Sequence, residues 1–237
     1  MPANTITCGD LITAVRRRAD MEGSTFVTDA EIRSYINVAV AELHDILVQK
    51  YEDYYINSDT TYTLPIADNK GTLPDRFYKM LGVDFATGGN TFRVRPYKFQ
   101  ERNMYGSNAT SGTLANRLTY HVQGNEIHFR PADALPSGTV TIHYVPQADQ
   151  WATNGSEDSE ALSVNNRAVA PGYEEYIVID AAIKCLLKEE ADVTVHLVQR
   201  ESARRRIEEA AGKRDAGEPY AISDVTTGTA ISDFYWR

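Results

Sequence analysis

The hydrophobic period of this chain changes twice, and that switch restricts its fold more than any motif does. Apolar residues recur at helical spacing up to residue 50, alternate through a middle section that starts at Tyr51, and return to the helical period after Pro171. Two helical blocks therefore flank a β-rich centre. The first helix is expected from about Thr7 to Asp20, with Leu11, Ile12, Val15 and Ala19 on one face. The second opens at Thr28-Asp29-Ala30-Glu31, a capping box in which hydroxyl and carboxylate satisfy each other's backbone amides. Ile32, Ile36, Ala39, Leu43 and Ile46 follow at spacings of 4, 3, 4 and 3, a seam for packing against other helices. Pro171 stands at a first-turn position ahead of YEEYIVIDAAIKCLLKEE, apolar over most of its circumference and expected to be the most buried helix. Asp192 is expected to cap a fourth helix running to about Gly212, although its opening VTVHLV also alternates like a strand.

In the centre, Phe77 to Phe85 reads as a strand, Gly88-Gly89-Asn90 as a turn and Thr91 to Arg95 as its return. LTYHVQGNEIHF is the clearest hairpin. A turn on Gly124-Asn125 pairs Val122 with Ile127 and Tyr120 with Phe129. Val140, Ile142 and Tyr144 continue the alternation on what reads as a third strand. Gln147 to Arg167 is polar enough to be expected as a mobile loop. The expected fold is α+β: an antiparallel helical bundle of about four helices drawn from residues 1–50 and 171–212, an inserted antiparallel β-domain over 51–170, and an extended C-terminal tail over 213–237.

The net charge is −9. A protein that grips nucleic acid carries a basic surplus, so this balance argues against gripping DNA and suits a surface that DNA slides past. Cys8 and Cys185 have no metal-ligand spacing, and free thiols in a reducing compartment are expected. The opening MPANTITCGDL has neither a charged nor an apolar signal region, and no apolar run approaches membrane-spanning length.

Phosphate-binding glycine loops, a serine elbow and zinc-protease motifs are absent, and no catalytic residue or cofactor is assigned. One chemical candidate remains. In the hairpin register His121 lies opposite His128, and His143 is placed on the same face of the third strand, so three imidazoles would be arranged for zinc or for an enzymatic β-domain. Against it, Thr119, Arg130 and Thr141 share that face and no carboxylate is evidently placed to orient a ring. Asp180, with Lys184 and Lys188 four and eight residues on, reads as a solvated acid–lysine stripe. Arg16-Arg17-Arg18 and Arg204-Arg205-Arg206 read as ordinary surface charges, the latter interleaved with Glu201, Glu208 and Glu209.

RADMEGSTFVTDAEIRSYINVAVAELHDIL, LPDRFYKMLGVDF, RPYKFQERN and YEEYIVIDAAIKCLLKEEADVTVHLVQRESARRRIEEAAGKRDAGEP together resemble bacteriophage head-to-tail adaptor (connector) proteins, the portal-attached neck components of tailed phages. The ordered set carries the resemblance; Gln147–Arg167 and the stretch beyond Pro219 fall outside it. It implies a structural virion protein made in the host cytoplasm and placed in the neck. It also implies a ring of about twelve copies that binds portal above and tail or neck proteins below and passes DNA without sequence-specific contacts.

The tail needs its own account. Helical periodicity stops near Gly212, yet the chain runs on to Phe234, Tyr235, Trp236 and Arg237. Those are residue types that anchor interfaces, since each joins large contact area to a directional polar group or stacks readily. Tyr220, Ile222, Val225 and Ile231 are spaced along AISDVTTGTAIS and its flank, a β-branched stretch suited to adding a strand to a partner sheet. All eight are the candidate partner-binding residues, for the portal or a neighbouring subunit.

Overall fold

A computed structural model describes residues 6–51, 57–101, 118–131, 135–160 and 172–211. Helices α1 (Cys8–Arg18) and α2 (Asp29–Lys50) both open on capping boxes. At α2 the Thr28 hydroxyl accepts from the Glu31 amide at 3.3 Å, and the Glu31 carboxylate accepts from the Thr28 amide at 2.9 Å. At α1 Thr7 and Asp10 make the same reciprocal pair with an aspartate in place of glutamate. The seam Ile32, Ile36, Ala39, Leu43 and Ile46 is buried throughout. Helix α3 (Glu174–Lys188) buries nine residues, and α4 (Thr194–Ala211) buries only Ala203, Ile207 and Ala211. The ambiguous VTVHLV stretch is resolved as helix. Pro171 lies outside the described residues. Helices α2 and α3 pack along each other in the middle, while α1 and α4 each pack on both of them. One core runs through all four helices.

The β-rich centre comprises β1 (Asn57–Leu64), β2 (Lys70–Thr72), β3 (Phe77–Thr87), β4 (Asn90–Pro96), β5 (Thr119–Gln123), β6 (Glu126–Arg130) and β7 (Gly138–Pro146). They form one sheet in the order β1-β7-β3-β4-β5-β6-β2. The two hairpins expected from the turns are present, with Val122 opposite Ile127, Tyr120 opposite Phe129 and Val83 opposite Val94. Strands β4 and β5 pair in parallel, and every other pairing is antiparallel. The sheet curls until its edges approach. The Tyr62 hydroxyl of β1 donates to the Thr72 carbonyl of β2, and the Tyr62 ring meets Phe129 of β6 edge-on at 6.1 Å. Gly71 allows this approach, because a Cβ there would stand 2.3 Å from the Tyr62 ring.

The expected helical bundle with an inserted antiparallel β-domain is therefore corrected. The β part is a nearly closed seven-stranded barrel with a parallel pair and its own core of Val83, Phe85, Ile127, Phe129, Val140 and Ile142, among others. It stands beside four helices as a second structural unit of comparable weight. Near-closure removes exposed strand edges, which a small open insert would have left unpaired. Strand β7 does not extend the β5–β6 hairpin, as alternation alone suggested; it lies between β1 and β3. The proposed tail, 213–237, lies outside the described residues.

The polar stretch after β7 is also corrected: Gln147 and Asp149 are tied to Arg76 beside β3, and residues 151–160 are docked on the helices. Trp151 is buried in the helical core, and its backbone exchanges two 2.9 Å hydrogen bonds with the Asn37 side chain. Arg33 grips Asp158 through two nitrogens, Nε at 2.5 Å and Nη2 at 2.6 Å, and its Nη1 donates to the Thr153 carbonyl at 3.0 Å. Gly155, at φ +80, has to be glycine on two counts: its backbone is left-handed, and a Cβ would stand 2.8 Å from Arg33 Nη2. The Gly9 amide at the start of α1 donates to the Asp158 carbonyl at 2.9 Å, so the segment also satisfies a helix terminus.

Candidate functional site

The sequence-derived contact residues Tyr220, Ile222, Val225, Ile231, Phe234, Tyr235, Trp236 and Arg237 all lie outside the described residues. What is described is the helix that leads into them. Helix α4 buries little apolar surface, and charge fixes its seat. Asp180 of α3 is 2% exposed and is met by Lys184 Nζ from its own helix and by Arg200 Nε from α4 at 2.8 Å. Arg200 also reaches Glu42 of α2 at 2.7 Å and lies over the Tyr176 ring, while the Tyr176 hydroxyl donates to Glu42 at 3.4 Å. Three helices thus share one ionic knot. A buried carboxylate gains little net energy from pairing, yet leaving it unpaired is costly, so the knot specifies where α4 sits more than how tightly. Lys50–Glu208 at 3.3 Å and Arg206–Glu175 at 3.5 Å continue the attachment.

The solvated-stripe reading of Asp180 fails for a physical reason. Its spacing to Lys184 is visible on one helix, whereas Arg200 arrives from the next element and shuts out water. Arg16 is likewise more than a surface charge. It bonds Asp29 at 2.6 Å and the carbonyls of Ser24 and Val27 at 2.9 and 3.0 Å, locking the α1–α2 turn. Arg204 and Arg205 do pair with Glu208 and Glu201 on the open face of α4.

The histidine set does not assemble. His121 and His128 are opposite one another as the register required, and the His121 ring contacts Tyr97 and Phe99 at centroid distances of 5.3 and 6.0 Å. His143 is on β7, separated from β5 by β3 and β4. It is held there by Ser58 Oγ at 2.7 Å and Asp84 Oδ2 at 3.1 Å, a carboxylate partner that sequence reading missed. Among the described residues no group of three or more His, Cys, Asp or Glu side chains is placed to hold a metal. The alternative of a metal-binding or enzymatic face on His121, His128 and His143 thereby loses its shared site.

Two further groups are set by burial. His44 of α2 is enclosed between the units, edge-on to Tyr78 of β3 at 5.4 Å, and burial lowers its pKa although Asp45 pulls the other way. Cys8 and Cys185 are buried and form no disulfide, and burial raises the Cys185 thiol to about 11, so it stays protonated and unreactive. No helix among the described residues is long and apolar enough to cross a membrane.

The family model of the SU10 adaptor protein matches residues 6–225, a span that runs through all four helices, all seven strands and the first residues of the tail. No curated protein matches the chain.

Proposed function

Because the chain belongs to the SU10 adaptor protein family, we propose that it is a structural virion protein of a tailed bacteriophage, the adaptor that joins head to tail. The observation that carries this reading is the extent of the match, which covers helical and β units together rather than one transferable fragment. In this reading the protein sits in the neck as a ring of about twelve copies. It binds portal above and tail or neck proteins below, and it takes no part in catalysis. Genome DNA passes through the channel without sequence-specific contact. A net charge of −9 suits that task, since a basic lumen would hold phosphates and slow the strand. Residues 1–50 with 171–212 act as the helical domain and 51–170 as the barrel domain, joined by the 147–160 clamp. The subunit is made in the host cytoplasm, where both thiols stay reduced.

Portal engagement falls to the tail. From Gly212 onward 26 residues, extended at about 3.3 Å each, reach roughly 85 Å. Phe234, Tyr235 and Trp236 plug into the portal or a neighbouring subunit, Arg237 supplies the charged end, and Tyr220, Ile222, Val225 and Ile231 add strand contacts. The protein is monomeric or weakly associated until the portal templates the ring. Removing residues 220–237 tests this: the truncated chain keeps its melting behaviour and loses portal binding in a pull-down. Docking of the truncated chain at native affinity would refute the tail assignment.

A further inference from the structure

We propose that the outer face of β4, β5 and β6 is a docking site for an acidic segment of another protein, with a carboxylate of that segment held between Arg95 and Arg130. The register builds the site. Val94, Tyr120 and Phe129 belong to the barrel core, so Arg95, Thr119 and Arg130, each adjacent in sequence, fall on the other side of the sheet. Arg95 is the partner of Thr119 across the parallel pair, and Thr119 is the partner of Arg130 across the hairpin. The three form one row over adjacent strands, which sets the two arginine Cα atoms about 10 Å apart. Arg95 is exposed and Arg130 half-buried. Neither makes an ion pair or a side-chain hydrogen bond with another described residue. The acids nearby are already engaged. Glu126 on β6 takes Lys70 at 2.9 Å and His128 at 3.5 Å, and Asp84, opposite Arg93 in the register, takes His143 at 3.1 Å. Two like charges in one row weaken a sheet, and an anion between them reverses the sign of that interaction.

An aromatic ledge lies beside the row. The Tyr97 amide donates to the Tyr120 carbonyl at 2.9 Å, which keeps the segment after β4 alongside β5. Tyr97 and Phe99 both contact the His121 ring, and Phe99 is 54% exposed, with Lys98 exposed between them. The surface therefore complements carboxylates next to an aromatic or aliphatic side chain. Charge is also divided unevenly along the chain. Residues 57–146 hold nine basic and seven acidic residues, and the rest of the chain holds 15 and 26. The barrel is the basic part of an acidic protein. Nucleic acid fits it less well than protein does. Proteins that hold duplex DNA by its backbone commonly make roughly 6–10 phosphate contacts, whereas the surplus here centres on Arg93, Arg95 and Arg130. A polyanion long enough to make so many contacts also meets the acidic remainder of the chain. Resting on the proposed neck role, a grip on the genome would oppose its passage as well. A short acidic segment meets only the row and the ledge.

The test uses the full chain with two fluorescein-labelled probes, a peptide of repeated Asp-Glu-Phe and a short duplex DNA, read by fluorescence anisotropy at low salt. The peptide is expected to bind, and the DNA to bind at least about tenfold more weakly. Arg95→Ser together with Arg130→Ser should weaken the peptide about tenfold or more. The melting midpoint should stay unchanged, because neither side chain holds the fold through an ion pair. Phe99→Ser should weaken the peptide while leaving all charges in place. Arg17→Ser together with Arg205→Ser removes the same charge from exposed positions on the helices and should not alter binding. An equal loss in that control would reduce the effect to net charge and overturn the proposal. So would failure of the unmodified chain to bind the peptide, or tighter binding of DNA that depends on the same two arginines. Self-association abolished by Arg95→Ser with Arg130→Ser would assign the acidic segment to a second copy and overturn the partner named here. Peptide binding is measured without portal, so its failure is separate from a failure of the chain to assemble on portal, which would overturn the neck role.

Discussion

Replacing Trp151 with alanine should cost far more than its setting in a polar stretch suggests. The side chain is 2% exposed and lies within the helical core, although it comes from the segment that leaves the barrel. Truncating a buried tryptophan costs about 3–5 kcal/mol in lost transfer energy and cavity formation. Both hydrogen bonds to Asn37 involve the Trp151 backbone, so they survive the substitution and the loss is one of packing. In a chain of this length, that corresponds to a drop in melting midpoint of roughly 10 °C. Urea unfolding followed by far-ultraviolet circular dichroism measures the loss directly. The chain has two tryptophans, so Trp236→Phe leaves Trp151 as the only indole reporter. Its emission should shift red together with the loss of helix. A loss below about 1 kcal/mol for Trp151→Ala, or early exposure of Trp151 while the helices persist, would refute the clamp.

Asp180→Asn should destabilise by about 2 kcal/mol, because Lys184 and Arg200 keep partial solvent access while losing their shared anion; amide exchange should rise first in α4, and uniform loosening would contradict its role as the seat of that helix. Gly138→Ala should cost about 3 kcal/mol or more, since a Cβ would stand 2.4 Å from the Ala86 carbonyl oxygen and 2.6 Å from the Phe85 ring; a neutral effect on thermal melting would contradict the tight β3–β7 approach. The hydrogen bond from Lys188, with the Thr28 amide, lowers Glu31 from 4.5 to about 2. Its contribution is therefore full above pH 4.5 and is lost as pH falls toward about 2. Glu31→Gln should flatten that part of the acid-stability curve, and an unchanged slope would refute the assignment.

The features legible in the sequence are those set within a dozen residues. Thr28 and Glu31 announce a helix start because a capping box is local chemistry, and Gly124-Asn125 fixes the hairpin register by turn geometry. At Thr7 only an approximate helix start was readable, and the aspartate form of the same cap, Thr7 with Asp10, came from the structure. Strand order was not readable. Nothing in Val140, Ile142 and Tyr144 says that β7 slots between β1 and β3, because alternation specifies a face and leaves the neighbour open. Asp180 and Trp151 were misjudged by their local surroundings, since each is buried by an element distant in sequence. A lone tryptophan in an otherwise polar run was the one available signal that Gln147–Arg167 includes an anchor. His143 shows the reverse error: side-chain periodicity united it with His121 and His128, and topology put two strands between them.

The pairing of β1 with β7 has a mechanical consequence. The chain enters the barrel at Asn57 and leaves it after Pro146, two residues beyond Tyr144, the partner of Asn57 across the ladder. Both connections to the helices therefore attach at one end of two neighbouring strands. If the helices and the barrel are drawn apart along those strands, the pull acts on β1 and β7 in the same direction. The two are not peeled from one another. Instead β7 is drawn lengthwise along β3, to which it is paired from Phe77 to Ala86. Sliding of that kind strains the bonds of a ladder simultaneously, whereas peeling breaks them in succession. The barrel thus hangs from the helices by a lap joint, and the buried Trp151 is the rivet on its outgoing strap.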